Sequence, residues 1–133
     1  PIIVKGVQSV ADAKMLADLG VQGIVLSSHG SRQLDRGLVP IEILPDVVAA
    51  VGDKIDVFID GSFMSGQDVY AAIALGAKAV FVGRAYLYGA MADGERGVEK
   101  VIELMRRDFV NTMALTGNRN LAEVRETGAV LRG

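Results

Sequence analysis

The chain has 133 residues and a formal net charge of −2, with half of its residues hydrophobic and 23% charged. That balance suits a packed globular core rather than a disordered segment, and it offers no electrostatic footprint for nucleic acid or an anionic membrane. Cysteine is absent, which excludes disulfides and thiolate-held metals, and no apolar run approaches the roughly 18 residues of a membrane span.

The N-terminus does not read as a secretory leader, so a cytoplasmic location is expected. The chain opens directly on Pro1-Ile2-Ile3-Val4 without an initiating Met, which suggests a fragment or a cut chain. From there strands and helices alternate. Ile2 to Lys5 is short, apolar and β-branched, and is expected to be a strand buried on both faces. Ser9-Val10-Ala11-Asp12 has the form of a helix-capping signal and opens a helix that ends at Leu19-Gly20. Gly23 to Ser27 is the second strand. The polar stretch from Ser28 to Pro40 is long for a connection between a strand and a helix, and so is suspected of function.

Ile41, Leu44, Val47, Val48 and Val51 recur at helical spacing, and Gly52 closes that segment. Val57 to Asp60 is the third strand. Ser65-Gly66-Gln67-Asp68 repeats the capping signal for a helix that ends at Leu75-Gly76. The fourth strand runs from Ala79 to Gly83. A final long helix carries Val98, Val101, Ile102, Met105, Phe109 and Met113 on one face as core packing, and Asn120 caps a short tail helix through about Arg125. Leu19-Gly20-Val21-Gln22-Gly23-Ile24-Val25 also echoes Leu75-Gly76-Ala77-Lys78-Ala79-Val80-Phe81, each a helix end, a glycine cap and the next strand.

Four such units imply an α/β fold with a parallel sheet, either half of a (β/α)8 barrel or a small open sheet. The polar clusters favour the barrel. Ser27-Ser28-His29, Asp60-Gly61-Ser62 and Gly83-Arg84 all follow strands, and so gather at the C-terminal face where barrel active sites lie.

His29, the only histidine, sits just past a strand in a loop that also carries Arg32. An imidazole that titrates near neutral pH suits general-base work, and a guanidinium fork suits a carboxylate. The plain alternative is a surface loop with one His and one Arg. Lys5 either reaches a site from its strand end or extends to water. Asp60-Gly61-Ser62 and Gly83-Arg84, on neighbouring strands, together make a case for a phosphorylated ligand, since glycine lets backbone amides approach an anion. Asp60 as a turn cap and Arg84 as a solvated charge are the alternatives. Tyr86 and Tyr88 fit wall packing better than a mouth, and Arg106-Arg107 a solvated helix face.

Pro1-Ile2-Ile3-Val4-Lys5-Gly6 and Ser27-Ser28-His29-Gly30-Ser31-Arg32-Gln33-Leu34-Asp35 resemble the FMN-dependent 2-hydroxy-acid oxidase and dehydrogenase family. That family includes glycolate oxidase, lactate oxidase and flavin-dependent L-lactate dehydrogenase. The resemblance continues through Asp60-Gly61, Ala74-Leu75-Gly76-Ala77, Val82-Gly83-Arg84 and Thr112-Met113-Ala114-Leu115, and so covers essentially the whole chain. It implies the last four βα units of a TIM barrel, a single partial domain over residues 1–133, and FMN as cofactor. His29 would be the catalytic base and Arg32 the grip on the substrate carboxylate. Lys5 would lie by the flavin pyrimidine edge, Ser27 would contact the flavin, and Asp60 would bind the ribityl chain. Gly61, Ser62, Phe63 and Met64, with Gly83 and Arg84, would hold the phosphate.

The chain departs from the common family pattern in three places. Ser28 stands where Asn is frequent, Ser62 where a second Gly is frequent, and Phe63-Met64-Ser65 lacks an arginine pair often found there. The resemblance further implies a small 2-hydroxy acid as substrate and homo-oligomers of the full-length protein. The other barrel half would supply an acidic partner for His29, substrate-side tyrosines and more flavin contacts. Alternatives are a type 2 isopentenyl diphosphate isomerase or similar FMN barrel, and a non-catalytic half-barrel that binds phosphate or flavin.

Overall fold

A computed structural model describes residues 1–129. Its strands are β1 (Ile3–Val7), β2 (Gly23–Leu26), β3 (Asp56–Asp60) and β4 (Val80–Phe81). Its helices are α1 (Val10–Asp18), α2 (Pro40–Val51), α3 (Gly66–Ala74), α4 (Arg84–Leu115) and α5 (Leu121–Thr127). The sheet order is β1-β2-β3-β4, and every pairing is parallel. Of the partial domain expected over residues 1–133, the last four residues lie outside those described.

Strand order that follows chain order has a consequence. Crossovers between parallel strands are right-handed, so successive crossovers in one direction lay all their helices on one face of the sheet. Val4, Ile24, Leu26, Val57, Ile59 and Val80 point to that face and pack into the main core with Leu44, Val47 and Val51 of α2. Their alternates, Ile3, Lys5, Val25, Ser27, Phe58, Asp60 and Phe81, point the other way. That second face carries no helix among the described residues, and its edge strands are open, with Ile3 51% and Phe81 49% exposed, although Val25 and Ser27 on the central strand β2 are buried, at 3% and 0%. The expectation of a first strand buried on both faces is therefore corrected, since β1 is an edge strand and only its helix-side residues pack.

The capping signals form as expected. Ser9 Oγ accepts the Asp12 amide, and Ser65 with Asp68 forms a reciprocal capping box. The sequence echo has a structural counterpart. In α1 the Gly20 and Val21 amides donate to Ala17 O and Leu16 O, and in α3 the Gly76 and Ala77 amides donate to Ile73 O and Ala72 O. Each glycine is left-handed, with φ of +83° and +102°. Only a residue without a Cβ turns the chain so at little cost and aims it at the next strand.

The expectations fail most at the end of the sheet. β4 is only Val80–Phe81, whereas a strand from Ala79 to Gly83 was expected. Arg84 does not end a strand but starts α4, whose two arms, 84–92 and 95–115, are broken at Asp93 and Gly94. The first arm was not foreseen because its apolar residues make no stripe. Tyr86, Leu87, Tyr88 and Met91 are all exposed. What holds the arms together is small residues: Gly89 and Gly97 are buried and meet backbone to backbone, so that a Cβ on either would overlap the other. The second arm meets expectation, because Phe109 and Met113 pack against Tyr70, Ile73, Ala74 and Val124 in a smaller core. Ile102, placed on that face, is 60% exposed.

Gly97→Ala should therefore destabilise the protein by about 2–3 kcal/mol through overpacking, whereas Gly83→Ala, with nothing within 4 Å of its would-be Cβ, should cost far less. Chemical denaturation of both variants checks the difference.

Candidate active site

Parallel strands bring their C-terminal ends to one rim of the sheet, and the polar residues that follow them meet there. Strand β1 runs two residues past the expected end at Lys5, and from its middle the Lys5 side chain reaches towards β2 and β3. Its Nζ donates to Ser27 Oγ at 2.9 Å and pairs with Asp60 Oδ2 at 2.7 Å. Three of the expected site residues, from three strands, thus form one knot. Ser27 is fully buried, and its Oγ also accepts the His29 amide at 3.1 Å. Its hydroxyl oxygen therefore joins the lysine to the histidine loop. Lys5 remains 46% exposed at its side chain and Asp60 19%, so the pair faces the open side of the sheet.

The loop after β2 is wound tightly. His29–Ser31 makes a single 3-10 turn, in which His29, Gly30 and Ser31 have φ of +54°, +68° and +59°. A left-handed residue with a Cβ costs on the order of 1 kcal/mol, and two occur here in three positions. Such strain is held only where surrounding contacts impose it. The Ser27–His29 bond is one such contact. Gly6 is another: a Cβ there would stand 2.5 Å from His29 Cε1, so a larger residue at position 6 would displace the imidazole. Gly6 was not singled out in the sequence. The available signal was a glycine inside a strand pattern, which marks a bulge or a close approach.

The rim beyond β3 and β4 gathers a tight turn, a helix start and an arginine. Gly61 (φ +111°) and Ser62 (φ +62°) turn the chain back from β3. The left-handed angle at Ser62 gives the physical reason a second glycine suits that position. Phe63 is buried in the main core, so it can offer only its backbone. The Met64 and Ser65 amides are already spent, both donating to Asp68 Oδ2 at 2.9 Å. The cradle is therefore narrower than the expected Gly61-to-Met64 turn: the parallel pairing of Asp60 with Phe81 turns the Gly61 amide towards β4, no acceptor is found for the amides of Ser62 and Phe63 among the described residues, and Met64 contributes only its exposed side chain.

Facing that turn is the start of α4. Its N-cap is Gly83, with no side chain capping the helix, so the first-turn amides and the positive end of the helix dipole stand open. Arg84 leans across the gap, and its Nη2 donates to Ser62 Oγ at 3.2 Å. His29, Gly30, Arg32, Asp60, Gly61, Ser62, Phe63, Met64, Gly83, Arg84 and Leu87 line one cleft of about 420 Å³. Both halves of the expected site, the His29/Arg32 pair and the anion cradle, thus open onto the same space. Leu87, one turn along α4 from Arg84, is a lining residue that the sequence did not reveal. Among the described residues, no group of three or more His, Cys, Asp or Glu side chains could hold a metal, and no helix is long and apolar enough to cross a membrane.

A family model described as FMN-dependent dehydrogenase matches residues 1–131. The chain is 49% identical over 123 residues to a putative L-lactate dehydrogenase of Mycobacterium tuberculosis, a match that covers 92% of this chain and 30% of that protein. It is 48% identical to human 2-hydroxyacid oxidase 2, covering 93% of this chain and 35% of the relative. With glycolate oxidase 3 of Arabidopsis thaliana the identity is again 48%, over 96% of this chain and 34% of the relative. The chain thus spans about a third of the length of the curated relatives it matches. Mandelate oxidase with benzoyl-formic acid superposes with a TM-score of 0.91 at 42% identity, covering 94% of this chain and 37% of that one. The parallel sheet with helices on one face is accordingly a four-strand portion of a TIM barrel. The chain belongs to the family of FMN-dependent dehydrogenases.

Proposed function

We propose that this chain is the C-terminal half of the barrel of an FMN-dependent enzyme that oxidises small L-2-hydroxy acids, of lactate or glycolate type, to 2-oxo acids. His29 is its base and Arg32 its carboxylate clamp. The observation that carries this proposal is the single cleft shared by His29, Arg32 and the anion cradle.

The residues present fit the cofactor. An uncapped helix N-terminus, a glycine turn with free amides and Arg84 make a phosphate seat. A Cβ at Gly83 would meet nothing within 4 Å, so the space beside its backbone is open. Asp60 lines the same cleft as His29 and the seat, and Lys5 pairs with it, so these two side chains would meet the ribityl chain and the flavin edge. FMN, when bound, accepts the two electrons of the oxidation.

The rest is done by this chain's side chains. Arg32 presents a planar fork of donors that matches a carboxylate in two bonds and so fixes the carbon next to it. His29, three residues earlier in the same loop, takes a proton from the 2-hydroxyl group of the substrate or from its α-carbon. Lys5 supplies positive charge to the open face, where negative charge builds during the reaction, and Asp60 holds that ammonium in place. Ser27 anchors Lys5 and the His29 backbone from below.

The bare sheet face and the outer edges of β1 and β4 need closing before water is excluded from this chemistry. Four further barrel strands close it in the proposed enzyme. They also bring an acidic partner for His29. The full-length protein is further proposed to be cytoplasmic and homo-oligomeric.

His29→Gln in the full-length protein should slow flavin reduction by L-lactate or glycolate by at least about 10²-fold and leave FMN affinity unchanged; normal reduction rates would remove His29 from the reaction. A parent protein that binds FMN yet bleaches with no 2-hydroxy acid would keep the phosphate seat and end the substrate assignment. Ser27→Ala leaves the His29 amide and the Lys5 ammonium without their shared acceptor, and should cost about 1–2 kcal/mol in a denaturation curve.

A further inference from the structure

We propose that Gly6 is a positioning residue for His29: the bare backbone at the bulge of β1 forms a slot that seats the imidazole and sets its direction. The inference rests on the proposed role of His29 as base. Strand β1 keeps register with β2 through Lys5↔Val25, and then slips, so that Val7 faces Leu26. Gly6 is the residue at the slip, with φ of +97°. A bulge of this kind kinks the strand and re-aims its neighbours. Here it turns the glycine's empty side toward the next loop.

The distances show how the ring sits. The would-be Cβ of Gly6 is 2.5 Å from His29 Cε1, and nearly equidistant from Nε2 at 3.4 Å and Nδ1 at 3.5 Å. The imidazole therefore points its Cε1 corner at the slot, with one nitrogen to each side. Among the described residues no hydrogen bond reaches either ring nitrogen, whereas the backbone of His29 is held by Ser27. Among the described residues, the close approach to Gly6 is then the contact that bears on the direction of the ring. An alanine at Gly6 would force the ring back by about 1 Å to reach ordinary contact distance, and misplacements of that size cost on the order of 10²-fold in rate.

Gly6→Ala also introduces backbone strain, and a control separates the two effects. Gly20 has a similar φ of +83° but nothing within 4 Å of its would-be Cβ, and it lies outside the site. In the flavin-loaded full-length protein, Gly6→Ala should slow flavin reduction at saturating substrate by about 10²-fold, and its FMN affinity should remain that of the parent. Its loss in melting temperature should match that of Gly20→Ala, which itself should reduce flavin normally. In a His29→Ala background, adding Gly6→Ala should change the reduction rate by no more than about twofold, because a residue that acts through His29 has nothing left to position.

Parent-like reduction by Gly6→Ala overturns the inference. So does an equal slowing in both backgrounds, which marks general damage, or an equal slowing by Gly20→Ala, which marks strain. Parent-like reduction by His29→Ala is a different result: it removes the proposed base, and the role of Gly6 falls with it.

Discussion

Everything functional in this chain depends on the hand of its crossovers. Because each strand joins the sheet beside its predecessor and each connection returns on the same side, the helices are confined to one face. The core can then form with only half of the sheet covered. The other half is left for chemistry, and all four strand ends deliver their loops to the same rim. A doubly wound sheet of the same composition would reverse direction and bury both faces, leaving a crevice at one point rather than a shared rim. Here the rim carries Lys5, Ser27, His29, Asp60 and Arg84 from four successive strands, and side-chain contacts join Lys5, Ser27 and Asp60 directly.

Strain is distributed in the same way. Three of the four left-handed non-glycine residues, His29, Ser31 and Ser62, lie in the loops that line the cleft, and the fourth, Arg36, follows in the long β2–α2 connection. At roughly 1–2 kcal/mol each this is a sizeable fraction of what a small protein can spare. The buried Ser27 hydroxyl, the Gly6 slot and the Arg84–Ser62 bond are the contacts that hold the strained residues in place. The covered face supplies the rigidity behind them: Leu26 and Ile59 are fully buried, each one residue from a polar end, and Val57 is 3% exposed beside them. Stability and site are thus arranged along the same strands, residue by alternate residue.

That arrangement explains what could be read from residues alone. Strands, capping boxes and glycine-closed helix ends are local, and their signals sit in neighbouring positions, which is why Ser65-Gly66-Gln67-Asp68 and the Leu19/Leu75 echo translate directly into hydrogen bonds. The first arm of α4 escaped because its packing relies on Gly89 meeting Gly97, a contact of absent side chains that leaves no hydrophobic period. That Met64 cannot offer its amide to an anion is not legible from Asp68 as a helix cap, because the Asp68 carboxylate reaches two amides at once. Gly6 escaped for a related reason. What it contributes is empty space against a ring 23 positions away, and only the fold makes that adjacency visible.

The phosphate seat joins these threads. With no arginine in Phe63-Met64-Ser65, Arg84 is the one cationic side chain among the described residues lining that end of the cleft. The remaining attraction for an anion must come from unpaired amides and from the dipole of α4, whose effect fades within a turn of the helix end. The seat is then only as well placed as the start of α4. That start is fixed from outside the site, by the glycine contact that folds the two arms together and by the close approach of Gly66 to the backbone of Met105 and Phe109. Gly66 lies at the head of α3, one residue past Ser65, so the turn bearing Gly61 and Ser62 and the helix bearing Arg84 are pinned to the same second arm. Two close backbone contacts remote from the ligand therefore set the width of the anion gap, which is why the packing of the outer helices belongs to the account of the site.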